Sequence, residues 1–289
     1  MTRPSGRSET ETAVVVDVGA TRTEAGFGGW KERPEPARVE DTPDTTDELV
    51  GTVRRLTDEL IEEARSSGCD VSAVAVGVPG LVDKEGTLVD APHTSFGNLD
   101  LSDELDTCVP VAVENDANAQ ALGCAGNTED LFYVALGTGI GGAHVVSGEV
   151  VRGANGFAGE VGHVPVPASA SDRPCACGRR GCLETVASGE YLRETLGDAW
   201  WERELHSGER RVVRRAGEAV GEAVSLLAVV NDPETFVVTG SMTTRDEFIA
   251  GMNHGWSHPW TDCSLRTYEK TWRFARDGLT KVACRAVDG

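Results

Sequence analysis

Apolar residues fall into two patterns along this chain. Segments 13–19 (AVVVDVG), 72–78 (SAVAVGV), 109–114 (VPVAVE), 131–137 (LFYVALG) and 235–240 (TFVVTG) are short, nearly continuous apolar runs ending at glycine, proline or a polar turn. Runs of that length, rich in valine, predict strands buried on both faces. From 44 to 67 the spacing changes. Leu49, Val53, Leu56, Leu60, Ile61 and Ala64 recur at helical intervals and Gly68 follows, which predicts an amphipathic helix closed by glycine. A second helix is predicted from about Asp116 and a third over 211–230. Strands alternating with helices indicate an α/β protein. A strand running into a glycine turn occurs near 17 and again near 137, which suggests two related domains facing a cleft.

The domains expected are 12–115, 116–244 with an inserted cysteine-rich stretch, and an atypical segment 245–289. The last segment carries seven basic and six acidic residues, against a net charge of −21 before it, and holds three of the six tryptophans. No helical or alternating period reads there. It is expected to be irregular, either strongly diverged or translated out of frame.

The net charge of −20 is spread along the chain, and only Lys31, Lys84, Lys270 and Lys281 are lysines. A dispersed acidic surface repels nucleic acid and anionic membrane. It also suits high salt, where carboxylates stay hydrated and their repulsion is screened. No apolar run is long enough to cross a bilayer, and Met1 to Glu11 has no signal-peptide character. A cytoplasmic protein is expected.

Four segments carry chemistry. DVGATRT (17–23) sets Asp17 at a strand end before a turn with Gly19 and Thr21, where backbone N–H groups and a hydroxyl can meet a phosphate and Asp17 can hold a Mg²⁺-bound water. GTGIGG (137–142) offers a second such cradle at Gly137, Thr138 and Gly139. Either could instead be a tight turn. VENDANA (113–119) puts Asn115 and Asp116 at a helix start, where an Asx cap is the plain alternative to a carboxylate that accepts a hydroxyl proton. GFAGEVGH (156–163) and CACGRRGC (175–182) bring His163, Cys175, Cys177 and Cys182, an imidazole and three thiolates suited to a structural Zn²⁺.

In this order, and with GVPGLVD (77–83) and VVTGS (237–241), these segments resemble the ROK family of sugar kinases over about residues 13–241. The resemblance implies two actin/hexokinase-like (ribonuclease-H-like) α/β domains and ATP-dependent phosphorylation of a hexose, with glucose to glucose 6-phosphate favoured and another hexose or an N-acetylhexosamine as the alternative. It implies sugar contacts at Gly86, Asn98, Asn115, Asp116, Glu160, His163 and Glu184, with Asp116 as the base. Phosphate contacts fall on Asp17, Gly19, Thr21, Gly137, Thr138 and Gly139, and an adenosine contact on Gly240. ATP, Mg²⁺ and structural Zn²⁺ are the implied cofactors, with homodimer and homotetramer both open. Where the family often has Ala-Pro-Asn, this chain has Ala91-Pro92-His93. Some family members are sugar-responsive repressors with a DNA-binding helix-turn-helix ahead of the kinase-like part. The 16 residues before Asp17 and the acidic surface speak against that reading, and a non-catalytic sugar binder is the third.

Overall fold

The valine-rich run becomes the central strand β1 (Glu11–Val18), whose residues from Thr12 on are buried. The structure, a computed structural model, describes residues 11–29, 35–91, 96–125, 130–167, 171–257, 263–269 and 272–288. Pro92 and His93 therefore lie outside the described residues. The chain divides into two units, one of residues 1–124 with 271–289, the other of residues 125–270.

In the first unit β1 is followed by β2 (Arg22–Gly28), β3 (Arg38–Asp41), helix α1 (Thr46–Ser66) and β4 (Asp70–Val78). Then come β5 (Leu81–Val82), β6 (Leu88–Asp90), β7 (Gly97–Leu99), α2 (Leu101–Glu104), β8 (Val111–Asn115) and α3 (Asp116–Cys124). One sheet has the order β3-β2-β1-β4-β8, with β1, β4 and β8 parallel and β2 and β3 antiparallel. β5, β6 and β7 form a small antiparallel sheet. α1 is the predicted amphipathic helix. Thr45 caps its start, and Gly68 takes the left-handed conformation just past its end. Its Leu49, Val53, Leu56 and Leu60 pack on Val14, Val16, Val74 and Val76, one face of the sheet.

The second unit holds β9 (Leu131–Leu136), β10 (Ile140–Val146), β11 (Glu149–Val150), α4 (Glu184–Ala187), α5 (Gly189–Leu196), α6 (Ser207–Asn231) and β12 (Thr235–Thr239). Its core gathers Phe132, Val134, Phe236 and Val238 under Val213, Val220 and Val224 of α6.

The described residues of the segment expected to be irregular are ordered instead. They form α7 (Asp246–Gly255), β13 (Ser264–Tyr268) and α8 (Trp272–Asp288). β13 pairs parallel with β12, giving the order β11-β10-β9-β12-β13, with β9, β12 and β13 parallel. This is the topology of the first sheet, and β13 supplies the strand that β8 supplies there. α8 belongs to the first unit. It packs on α3 and on β1 and β4, covering the sheet face opposite α1, with Leu279 over Gly77 and Thr280 against Gly28. The break expected at 115/116 is therefore corrected, because α3 lies against α8 and the first unit runs on to Cys124. Segment 245–289 is likewise no separate part. Its helical period is faint in the sequence because small residues carry half of it: Ala275, Gly278 and Ala283 line the packed side of α8 together with Trp272, Leu279 and Val282.

Candidate functional site

In the first unit the candidate residues cluster at the carboxyl ends of the parallel strands, where open α/β sheets place their ligands. Asp17 is 2% exposed near the end of β1 and in register with Gly77 on β4, which in turn is in register with Glu114 on β8. Gly77 carries no side chain where a Cβ would come within 3.2 Å of Asp17 Oδ1, so glycine makes room for that carboxylate. Gly19 donates its N–H to Arg22 O at 2.8 Å, closing the β1–β2 turn, and Thr21 is exposed on it.

Asn115 does two structural jobs at the end of β8. Its Oδ1 accepts the Asn118 N–H at 2.9 Å, capping α3, and its Nδ2 donates to Gly80 O at 2.9 Å. The Asx cap left open by the sequence is thus present, at the residue before the candidate base. Glu114, 4% exposed, accepts the Asn115 N–H at 3.0 Å and Asn118 Nδ2 at 2.9 Å. Asn118 Oδ1 has no hydrogen-bond partner among the described residues. Asp116 opens α3, and its Oδ1 accepts the Ala117 N–H at 2.8 Å. A carboxylate in the first turn of a helix has a favourable electrostatic position.

Gly86 and Asn98 sit on the small sheet. Gly86, at φ +91°, turns β5 into β6 in a loop held by Asp83 Oδ1, which accepts the N–H groups of Glu85 and Thr87. Asn98 is exposed at φ +51°, a conformation costly for most side chains and most tolerable for asparagine among them. Backbone strain of this kind collects at functional positions.

In the second unit Gly137, Thr138 and Gly139 join β9 to β10. The loop is anchored from one side by α5, where the Gly189 N–H donates to Gly137 O at 2.9 Å and the Glu190 N–H to Thr138 O at 3.0 Å. A Cβ on Gly189 would lie 2.6 Å from Gly137 O, so this approach requires glycine. Gly240, just past β12, packs against the Leu136 carbonyl and has φ +123°. Gly240 and the glycine loop therefore lie side by side, at the ends of two paired parallel strands.

Glu160 precedes and His163 ends the short turn Val161–His163, which glycines 159 and 162 allow to lie against β10. His163 Nδ1 is 3.4 Å from Cys175 Sγ, and Cys177 Sγ is 3.6 Å from Cys182 Sγ. The ligand atoms of all four residues lie within 4.8 Å of one another. Glu184, 6% exposed at the start of α4, has Oε1 3.0 Å from Cys175 Sγ and 3.6 Å from His163 Nδ1. Burial, reinforced by the hydrogen bond to Glu184, pushes the Cys175 thiol up. Burial opposes ionisation of Cys177 too, but hydrogen bonds from the Arg179 backbone and side chain outweigh it and bring that thiol down to about 7. Sequence reasoning missed the roles of Gly77 and Gly189, which depend on contacts distant in sequence.

No described helix is long and apolar enough to cross a membrane. The sequence profile of the ROK family matches residues 13–259. A glucokinase of Halalkalibacterium halodurans is 37% identical over 139 residues, 45% of this chain and 42% of that protein. A xylose repressor of Caldicellulosiruptor bescii is 31% identical over 206 residues, 65% of this chain and 51% of that protein. These matches span about half the length of the curated relatives. The crystal structure of a ROK family glucokinase from Streptomyces griseus, in complex with glucose and AMPPNP, superposes with a TM-score of 0.77 at 24% identity, covering 95% of this chain and 99% of that one. That likeness concerns the fold. With the profile covering most of the chain, this protein belongs to the ROK family.

Proposed function

We propose that the chain is an ATP-dependent sugar kinase, with a hexose as acceptor, glucose first among them, and Asp116 as the base. One observation carries the reading. Asp17 with its glycine turn and Asp116 at the mouth of α3 stand at the carboxyl ends of β1 and β8, strands flanking β4 in a single sheet. In phosphoryl transfer the protein positions its reactants and stabilises charge, and a carboxylate takes the acceptor's proton. Asp116 has the chemistry for the proton. The turn at Gly19–Thr21 and the loop at Gly137–Gly139 have the backbone N–H groups for phosphate oxygens, and Gly240 adjoins the second. Mg²⁺ would accompany the nucleotide through Asp17. Gly86, Asn98, Asn115, Glu160, His163 and Glu184 are proposed sugar contacts, the carboxylates accepting hydroxyl protons in strong hydrogen bonds. A coupled assay across glucose, fructose, mannose, N-acetylglucosamine and N-acetylmannosamine should show ATP-dependent turnover, fastest on glucose. No turnover on any of them, with hexose still bound, would favour a sugar-responsive regulator, the reading that the xylose repressor's similarity keeps in view.

Zn²⁺ is proposed at His163, Cys175, Cys177 and Cys182. Tetrahedral Zn–S bonds of about 2.3 Å put sulfurs roughly 3.8 Å apart, which the observed spacing fits. All four positions would be filled by protein, so the metal would be structural. It would hold His163 by Nδ1, the nitrogen nearest Cys175, and leave Nε2 for a sugar hydroxyl. Freshly reduced protein should contain one Zn²⁺ per chain. Cys177→Ser, a change at an exposed side chain, should lose both the metal and thermal stability. Metal analysis finding none in the parent protein would refute the site.

A further inference from the structure

The turn after β1 and the loop after β9 are anchored in the same manner. In the first unit the anchor is Thr42, the residue after β3 and outside the DVGATRT segment. Its hydroxyl donates to Gly19 O at 2.7 Å, and its backbone N–H donates to Thr21 O at 3.1 Å. Thr23 Oγ1 lies 3.0 Å from Thr42 Oγ1. A hydroxyl has one proton, and that of Thr42 is committed to Gly19, so Thr23 is the donor to Thr42. A buried threonine thus supports a second threonine that grips two carbonyls of one turn.

In a trans peptide the C=O and the following N–H point in opposite directions. Holding the carbonyls of Gly19 and Thr21 on Thr42 therefore turns the N–H groups of Ala20 and Arg22 to the other side. In the second unit Gly189 and Glu190 hold the carbonyls of Gly137 and Thr138, which turns the N–H groups of Thr138 and Gly139 away from α5 in the same way. N–H groups of one turn that face the same side make a concavity for an anion.

We propose that Thr42 is a positioning residue for the nucleotide: by gripping the turn from behind, it aims the N–H groups of Ala20 and Arg22 at phosphate oxygens. The inference rests on the kinase reading above. Thr42→Val keeps the shape and the backbone bond to Thr21 but removes the donor to Gly19 and the acceptor for Thr23. Thr42→Ser restores both.

Calorimetric titration of AMPPNP with Mg²⁺ into the full chain tests this, with the preferred sugar titrated separately and a thermal melt of each variant. Thr42→Val should weaken AMPPNP binding about tenfold, the scale of one well-made hydrogen bond. Thr42→Ser should stay within about twofold of the parent, and sugar affinity should not move. Unchanged AMPPNP binding in Thr42→Val overturns the proposal, as does an equal loss in Thr42→Ser. A parallel loss of sugar affinity and thermal stability overturns it too, reducing Thr42 to a packing residue. Should Thr42→Val not fold, Thr23→Ala supplies the same comparison from behind. A parent protein that binds no AMPPNP would instead overturn the kinase reading, and this proposal with it.

Discussion

Asp116→Asn should lower turnover by at least about 10²-fold and leave sugar affinity largely intact. The substitution keeps the shape of the side chain and an oxygen able to accept the Ala117 N–H, the bond that orients Asp116 at the head of α3. Four hydrogen bonds of the scaffold under it do not use that side chain. Asn115 caps α3 through Asn118 and reaches Gly80, and Glu114 holds the backbone N–H of Asn115 and the amide of Asn118. What the amide lacks is the capacity to take a proton as the acceptor hydroxyl attacks. The loss should therefore fall on kcat with KM for the sugar nearly constant, the signature of an interaction made in the transition state. Near-normal turnover in a folded variant would remove Asp116 from the role of base. A rise in KM with unchanged kcat would make it a sugar contact only.

The parts of this protein that could be read from sequence are those whose signal is local. β1, β4, β9 and β12 are buried over most of their length, so their apolar residues run nearly without interruption. α1 has one wet and one dry side, so its leucines show their period. The four candidate metal ligands fall within 20 positions, and their chemistry is unusual enough to stand out. By contrast, β2 (RTEAGFG) and β10 (IGGAHVV) are broken by glycines that serve their neighbours. Gly142 on β10 leaves space for Val161 and the Gly159 carbonyl. Thr42, Gly77 and Gly189 are ordinary residues until the fold brings a carbonyl or a carboxylate to them. The cap formed by Asn115 and the role proposed for Asp116 use the same residue types in adjacent places, so composition alone could not assign them.

Gly251→Ala and Gly221→Ala should each destabilise the second unit by about 2–3 kcal/mol, seen as a melting point lower by roughly 5–10 °C. The reasoning starts from two helices with glycines four residues apart. Gly217 and Gly221 of α6 face α7, and Gly251 and Gly255 of α7 face α6. A Cβ at Gly217 would overlap the Phe248 carbonyl, and at Gly221 the Met252 carbonyl. A Cβ at Gly251 would overlap the Arg214 carbonyl, and at Gly255 that of Glu218. The obstacles are backbone atoms, which cannot rotate away as a side chain does, so the helices must separate and the contacts of Phe248 and Met252 with the core loosen. Alanine is the better helix former by up to about 1 kcal/mol, which makes destabilisation a demanding outcome. The same interlock joins Gly123 of α3 to Phe274 and Gly278 of α8 to Ala119 in the first unit. Three of these six glycines lie beyond residue 244, each seated against a backbone carbonyl contributed by the earlier chain. An out-of-frame tail would have no reason to place glycine at those positions. If both alanine variants melt with the parent protein, α7 is not seated on α6 in this manner, and the tail's place in the fold loses its strongest support.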